Sequence, residues 1–298
     1  MPMAACGIFL IGKILFFHQK PDDPVETETD MHGTRWLTAI LALPLLVWLI
    51  AAGGPFLFFL MILAVSLIAQ SEYHHIMDAR SALSPESELR WVARLGLSFP
   101  VLFSFWGLGG LFAGLCLAFF LLTAFCMLRF GPRPGLLSAI PVEMQGFLWI
   151  AFPLACLGVL RMTDHGIAWV FFTLLLVASG DTGAYYAGRF FGKRKLAPAI
   201  SPAKTLEGFL GGVILTLVMA FLFKIFFLPS FSMIPVLLTA LVTAFVAPLG
   251  DLFESMQKRL SNVKDSGTLL PGHGGMLDRI DALLFAVPVV MMMRIWVC

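Results

Sequence analysis

The chain has 298 residues, of which 59% are hydrophobic and only 13% charged, and its mean hydropathy is +0.91. That composition leaves no room for a soluble domain of useful size, and the apolar runs are continuous rather than alternating, which excludes a β-barrel. The net charge of +2 excludes little by itself; the placement of the charges carries the information.

In chain order, residues 1–30 come first and fit least well. Residues 4–17 are apolar but short, and an acidic stretch from Pro21 to Asp30 follows. No small-residue cleavage site of the usual form is present. Met31 then opens a segment, His32-Gly33-Thr34-Arg35, that reads as the start of a membrane protein. Residues 1–30 are therefore read as an extension upstream of the working chain, or else as a tenth apolar segment too short to span comfortably. A spanning helix needs about 20 mostly apolar residues. Nine such windows are expected: 35–52, 54–71, 95–109, 111–128, 146–161, 166–187, 206–228, 232–250 and 276–297. The fold class is thus all-α and polytopic. Residues 31–165 form an N-terminal set of spans and 166–298 a C-terminal, catalytic set. The polar intervals 72–94, 129–145, 188–205 and 251–275 are expected to be loops or short interfacial helices.

Pro44, Pro153, Pro248 and Pro288 fall inside spans and are expected to bend them. Gly208, Gly211 and Gly212 permit close helix approach. No internal repeat is visible, which weakens a transporter reading, since many transporters are built from repeats. The five cysteines lie in or beside apolar runs without CxxC spacing and read as small buried hydrophobes. His74 and His75 are adjacent, so on a helix they point apart; the segment around them reads as solvated and interfacial rather than as a metal site.

With the first span entering from inside, fifteen of the twenty basic residues fall on the cytoplasmic side, and only Arg161, Lys224 and Arg294 fall opposite. This bias sets the orientation. It also puts both large polar clusters, 188–205 and 251–281, on the face where nucleotides are available.

Three constellations carry chemistry. Asp181 lies in the last turns of a span within Ser179-Gly180-Asp181-Thr182-Gly183, where an aspartate wants a partner. It reads either as a local hydrogen-bonding group or as a metal or substrate ligand on a polar cavity. Ser201, Lys204, Thr205 and Glu207 lead directly into a span whose N-terminus offers free N–H groups and a positive dipole end suited to phosphate. Ser201 or Thr205 equally suits a plain N-cap. The basic loop Lys193-Arg194 fits either phosphate binding or anionic-lipid attraction. The strongest set follows residue 250: Asp251, Glu254, Lys258, Arg259, Lys264, Asp265, His273, Gly274, Gly275, Asp278, Arg279 and Asp281. Asp278 and Asp281 share a helix face. Asp251 ends one span and Asp278 opens the next, so antiparallel neighbours bring them together. Carboxylates from two helix ends are hard oxygen ligands, suited to Mg²⁺ held with substrate phosphates. Lys and Arg then stabilise charge in an in-line displacement, and the glycines let backbone approach phosphate closely.

The same residues resemble the phosphatidate cytidylyltransferase (CDP-diacylglycerol synthase) family. Ser255, Lys258-Arg259, Lys264-Asp265, Gly267, Pro271, His273-Gly274-Gly275 and Asp278-Arg279-Ile280-Asp281 are in step with its C-terminal signature. Asp181-Thr182-Gly183-Ala184-Tyr185 and Ser201-Pro202, Lys204-Thr205 and Glu207-Gly208 resemble it upstream. Gln257 and Leu206 depart from the pattern without touching a charged role. The resemblance covers about residues 34–298. It implies an enzyme that joins CTP and phosphatidate into CDP-diacylglycerol and pyrophosphate, with Mg²⁺ and K⁺ at one centre and Asp251 and Asp278 as acidic metal positions. Asp181 takes a supporting role in metal binding or in the polar cavity. His273 is left with two roles, donor to pyrophosphate or pin for its loop. It further implies a multi-pass protein of the bacterial inner membrane with a cytoplasmic site, a possible homodimer, lipid as the surrounding partner and no nucleic acid. Rival readings are an anion transporter, another lipid phosphotransferase such as a polyprenol kinase, and a non-enzymatic lipid scaffold.

Overall fold

The computed structural model describes residues 43–80, 87–129, 139–267 and 274–296. The N-terminal extension, residues 35–42 of the first expected span and the Pro271-Gly272-His273 run lie outside these residues.

The described chain is helical apart from one small hairpin. In order it forms α1 (residues 43–51), α2 (Gly54–Arg80), α3 (Ser87–Phe103), α4 (Gly107–Arg129) and α5 (Ile140–Gly146). A π-helical turn, Phe147–Ala151, joins α5 to α6 (Phe152–Arg161). Then come α7 (Gly166–Phe191), β1 (Lys195–Ala197), β2 (Ser201–Thr205), α8 (Leu206–Phe227), α9 (Met233–Leu260) and α10 (Leu277–Trp296). Among the described residues, six stretches are long and apolar enough to cross a membrane. One of them, Glu88–Arg129, is a pair of helices. The chain breaks at Ser104–Trp106 and Gly107, whose φ is +76°. α4 folds back on α3, so that Arg129 reaches Glu88 at 2.8 Å. Helix α10 carries Asp278, Arg279, Asp281 and Arg294 at its ends, which keeps it outside that count. The expected total of nine spans therefore reduces, in what the structure describes, to six candidate stretches, with α10 beside them.

Two of the polar intervals expected to be loops or short interfacial helices take a different form. α2 runs past residue 71 to Arg80, because Ala69, Tyr73, Ile76 and Met77 continue its buried stripe. Glu72 and His74 are buried with that stripe, and His75 is exposed. Residues 195–205 form an antiparallel hairpin, Lys195 opposite Thr205 and Ala197 opposite Ser201.

α5–α6 and α7 are the most enclosed elements, and Trp169, Phe172, Phe147, Tyr73 and Phe58 fill the interior. The outward faces carry Phe56, Trp91, Phe120, Phe221 and Phe226, side chains that lipid solvates. Between helices in lipid there is little hydrophobic driving force, so association rests on close packing. α7 and α8 meet through glycine: a Cβ on Gly183 would stand 2.5 Å from the Gly211 carbonyl, and one on Gly212 2.8 Å from that of Gly180. Among the described residues, Cys126 and Cys156 are buried and Cys116 is exposed, and none of the three is in a disulfide. α5 and α6 continue in one direction, whereas α7 and α8, α8 and α9, and α9 and α10 pack antiparallel. The end of α7, the hairpin, the start of α8, the end of α9 and the start of α10 consequently gather at one end of the bundle.

Candidate functional site

The hairpin leads straight into α8. Thr205 is the N-cap, accepting from the Gly208 N–H at 3.1 Å, which uses one of the donors a helix start leaves over. The Glu207 carboxylate accepts from the Lys193 N–H at 2.9 Å and from the Arg194 N–H at 3.1 Å. It thereby ties the base of the hairpin to the first turn of α8. Ser201 is half-buried at the start of β2. Lys204 reaches across to α9, with its ammonium 2.7 Å from Asp251 Oδ2 and 3.5 Å from the Pro248 carbonyl. Two motifs separated by almost fifty residues thus meet in one ion pair.

Asp251 does not end its helix, because α9 continues to Leu260. Its other oxygen is 3.3 Å from the Ser255 hydroxyl, which donates to it. α10 crosses α9 at Gly250, where an added Cβ would collide with the backbone carbonyl of Asp281. That contact sets Asp281 beside Asp251, and Asp181 of α7 lies close enough to interact electrostatically with both. Asp181 is exposed to solvent on α7. Asp281 Oδ1 accepts from the Ala282 N–H at 2.7 Å.

Asp278, one turn earlier on α10, is held differently. Oδ1 takes the Lys258 ammonium. Oδ2 accepts from the Ser266 N–H (3.1 Å), the Ser266 hydroxyl (2.9 Å) and the Gly275 N–H (3.0 Å). Lys258 also lies 3.3 Å from buried Glu254 on its own helix. Gly274 has φ +79° and a Cβ there would stand 3.1 Å from Asp278, so glycine suits this turn on both counts. Arg259, Lys264 and Asp265 are exposed at the rim, and Arg279 is half-buried. The structure therefore groups Lys204, Asp251, Asp281 and Asp181 in one place, and Lys258, Glu254 and Asp278 one helical turn away. The two carboxylates expected to share a cation each hold a lysine.

Two contributors lie outside the expected set. Ser266 serves Asp278 twice, and Glu72, nearly two hundred residues earlier, accepts from the Met276 N–H at 2.8 Å and the Leu277 N–H at 2.7 Å. In the sequence Glu72 reads only as one charge of the solvated, interfacial segment 72–94. No local motif marks it.

Among the described residues, no three His, Cys, Asp or Glu side chains stand together as a ready metal cage. Mg²⁺ does not need one: it is commonly held by one or two carboxylates together with substrate phosphates and water. Asp251, flanked by Asp281 and Asp181, is a hard-oxygen donor set of that kind, and the residues fit the ion chemically.

Fold and site together define a multi-pass helical membrane protein with a charged site at one end of its bundle. Residues 33–296 match the model of the Cytidylyltransferase family. A phosphatidate cytidylyltransferase of Staphylococcus epidermidis is 33% identical over 257 residues, covering 85% of this chain and 95% of that one. Those of Bacillus subtilis and Haemophilus influenzae are 45% and 48% identical over 128 residues each. These two alignments cover 43% and 42% of this chain, and the chain spans about half the length of those two relatives, 48% and 44%. The chain belongs to the phosphatidate cytidylyltransferase family.

Proposed function

We propose that this chain catalyses nucleotidyl transfer from CTP to phosphatidate, giving CDP-diacylglycerol and pyrophosphate. The observation that carries the reading is the Lys204–Asp251 pair beside Asp281 and Asp181. It unites the start of α8, the middle of α9 and the start of α10 in one charged site within a chain of this family. The phosphate monoester of phosphatidate is already largely anionic near neutral pH, so the obstacle is the approach of two anions. Lys204 and Lys258 would neutralise phosphate oxygens at the centre, and Arg259, Lys264 and Arg279 at the rim. Ser201 and Thr205, at the hairpin and the α8 N-terminus, would orient the lipid phosphate or the nucleotide. A phosphatidate oxygen then attacks the α-phosphorus of CTP, the α–β bridging bond breaks and pyrophosphate leaves with that electron pair. Positioning and charge neutralisation supply most of the acceleration.

Asp251 with Asp278, Asp281 and Asp181 would hold Mg²⁺, and K⁺ nearby; bound there, the cations would offset charge on the triphosphate. Asp278 can contribute an oxygen once Lys258 turns to a phosphate. Gly274 and Gly275 keep their backbone close to that carboxylate, and His273 would donate to pyrophosphate or hold the loop. The charge bias read from the sequence supports a cytoplasmic site, and the resemblance read there implies a homodimer.

The test is an assay of the purified protein with α-labelled CTP, phosphatidate and Mg²⁺. Label should appear in a lipid product and unlabelled pyrophosphate in solution. Release of a nucleoside diphosphate instead would assign the protein to a kinase-like reaction and overturn the reading.

A further inference from the structure

We propose that Glu72 is a positioning residue of the active site, acting from the N-terminal half of the chain on Asp278. Its side chain is 7% exposed. Oε1 accepts from Met276 N–H, and Oε2 accepts from Leu277 N–H at 2.7 Å and faces the Ser266 hydroxyl at 3.2 Å. These partners flank the cage of Asp278, whose Oδ2 is held by Ser266 and Gly275. The fit leaves no room for anything larger: a Cβ on Gly267 would stand 2.7 Å from Glu72 Oε1, and one on Gly275 2.6 Å from Oε2. The two segments that hold Asp278 therefore close around one carboxylate.

The chemistry requires a carboxylate. Met276 and Leu277 open α10, and the first N–H groups of a helix have no partner within it. An anion placed there satisfies two of them and complements the positive helix end. Glutamine offers one acceptor oxygen and turns its NH₂ toward an N–H that needs an acceptor. Aspartate keeps both oxygens on a stem shorter by one methylene. The Ser266 hydroxyl has a single proton and two carboxylate neighbours, so Glu72 and Asp278 compete for it.

Glu72 can position because its own turn of α2 is fixed. Tyr73 donates from its hydroxyl to the Val142 carbonyl at 2.8 Å, and His74 Nε2 is 2.9 Å from Glu143 Oε2 in a buried pair. Tyr73 also packs edge-on against Trp149.

The experiment compares wild type with Glu72→Gln, Glu72→Asp and Ser266→Ala in detergent or nanodiscs. It measures kcat and KM for CTP, and amide hydrogen exchange along the chain. Glu72→Gln is expected to lower kcat about 10–100-fold, as loss of a supporting hydrogen-bond partner does elsewhere, with KM for CTP within about twofold. Exchange should quicken at 274–280 and stay as in wild type across α3 and α4. Glu72→Asp should recover part of kcat, and Ser266→Ala should reproduce part of the loss. Unchanged kcat in Glu72→Gln, unchanged exchange at 274–280, or faster exchange throughout the bundle would each overturn the proposal, the last because it marks a general packing role. The kinetic arm rests on the proposed nucleotidyl transfer and the exchange arm does not, so the two ideas fail separately: no labelled lipid from wild type sinks the reaction alone.

Discussion

Single side chains at this site are held by charge, and that makes them sensitive to isosteric change. Asp251→Asn keeps the shape but gives up the anion that faces Lys204 at 2.7 Å. Asp278→Asn likewise gives up the anion facing Lys258 and turns an NH₂ toward donors. Each is expected to lower product formation by at least about 10²–10³-fold, the scale of losing one electrostatic group in transfer chemistry, with membrane insertion intact. Labelled-CTP turnover of purified variants checks this, and near-normal turnover would remove the residue from the site. Lys258→Met leaves Glu254 and Asp278 without their shared cation in a place where Glu254 is 1% exposed. Breaking such a pair costs about 3–5 kcal/mol, so a lower thermal midpoint in detergent is expected alongside lost activity. The spacing of Asp278 and Asp281 on one face was legible in the sequence, as was the concentration of charge after residue 250. The division of labour was not: which carboxylate faces Lys204 and which faces Lys258 depends on how α9 crosses α10, and spacing along the chain carries no information about a crossing.

The elements are positioned by what their glycines allow. At Gly250 the two helices that carry Asp251 and Asp281 touch backbone to backbone. Gly250→Ala would wedge them apart, an overpacking that costs about 1–3 kcal/mol, and would also separate the carboxylates. Activity is expected to fall further than the small loss of thermal stability explains, and measuring both on one preparation checks this. Gly211→Val tests the seam of α7 and α8 in the same way, since even a Cβ there would strike Ala187. Here stability should fall first, read as an earlier unfolding midpoint. The glycine set at 208, 211 and 212 announced this seam. The length of α2 went unannounced because Glu72 and His74 read as solvent-facing, and only partners on α10 and α5 make them buriable. The small β-hairpin was equally hidden, being held by Glu207 accepting from Lys193 and Arg194 rather than by any apolar alternation.

For the molecule as a whole, hydropathy separated lipid-facing from polar segments, and chain order alone put the charged motifs at one end. Among the described residues six stretches are long and apolar enough to span, one of them a helix pair, and α10 stands beside them because charge at its ends breaks its apolar window. The two-ended layout gives a test of sidedness. Opposite the charged site, the turns around Asp164, Ser230 and Arg294 form a polar recess of about 520 Å³. In oriented vesicles of a cysteine-free variant, a cysteine placed at Lys195 should react with an impermeant maleimide only from the cytoplasmic side. One placed at Ser230 should react only from the other. Reactivity of both from one side would contradict the alternation of helices.

The clasp between α2 and the start of α10 spans about two hundred positions of the chain. A ribosome releases those partners far apart in time, and the later one belongs to α10. A nascent chain lacking that helix holds Glu72 with nothing to grip and has no Asp278 at all. On the proposed reaction, no transfer is expected of a chain that has not yet made α10, because the carboxylate at 278 and the helix start that Glu72 caps arrive together.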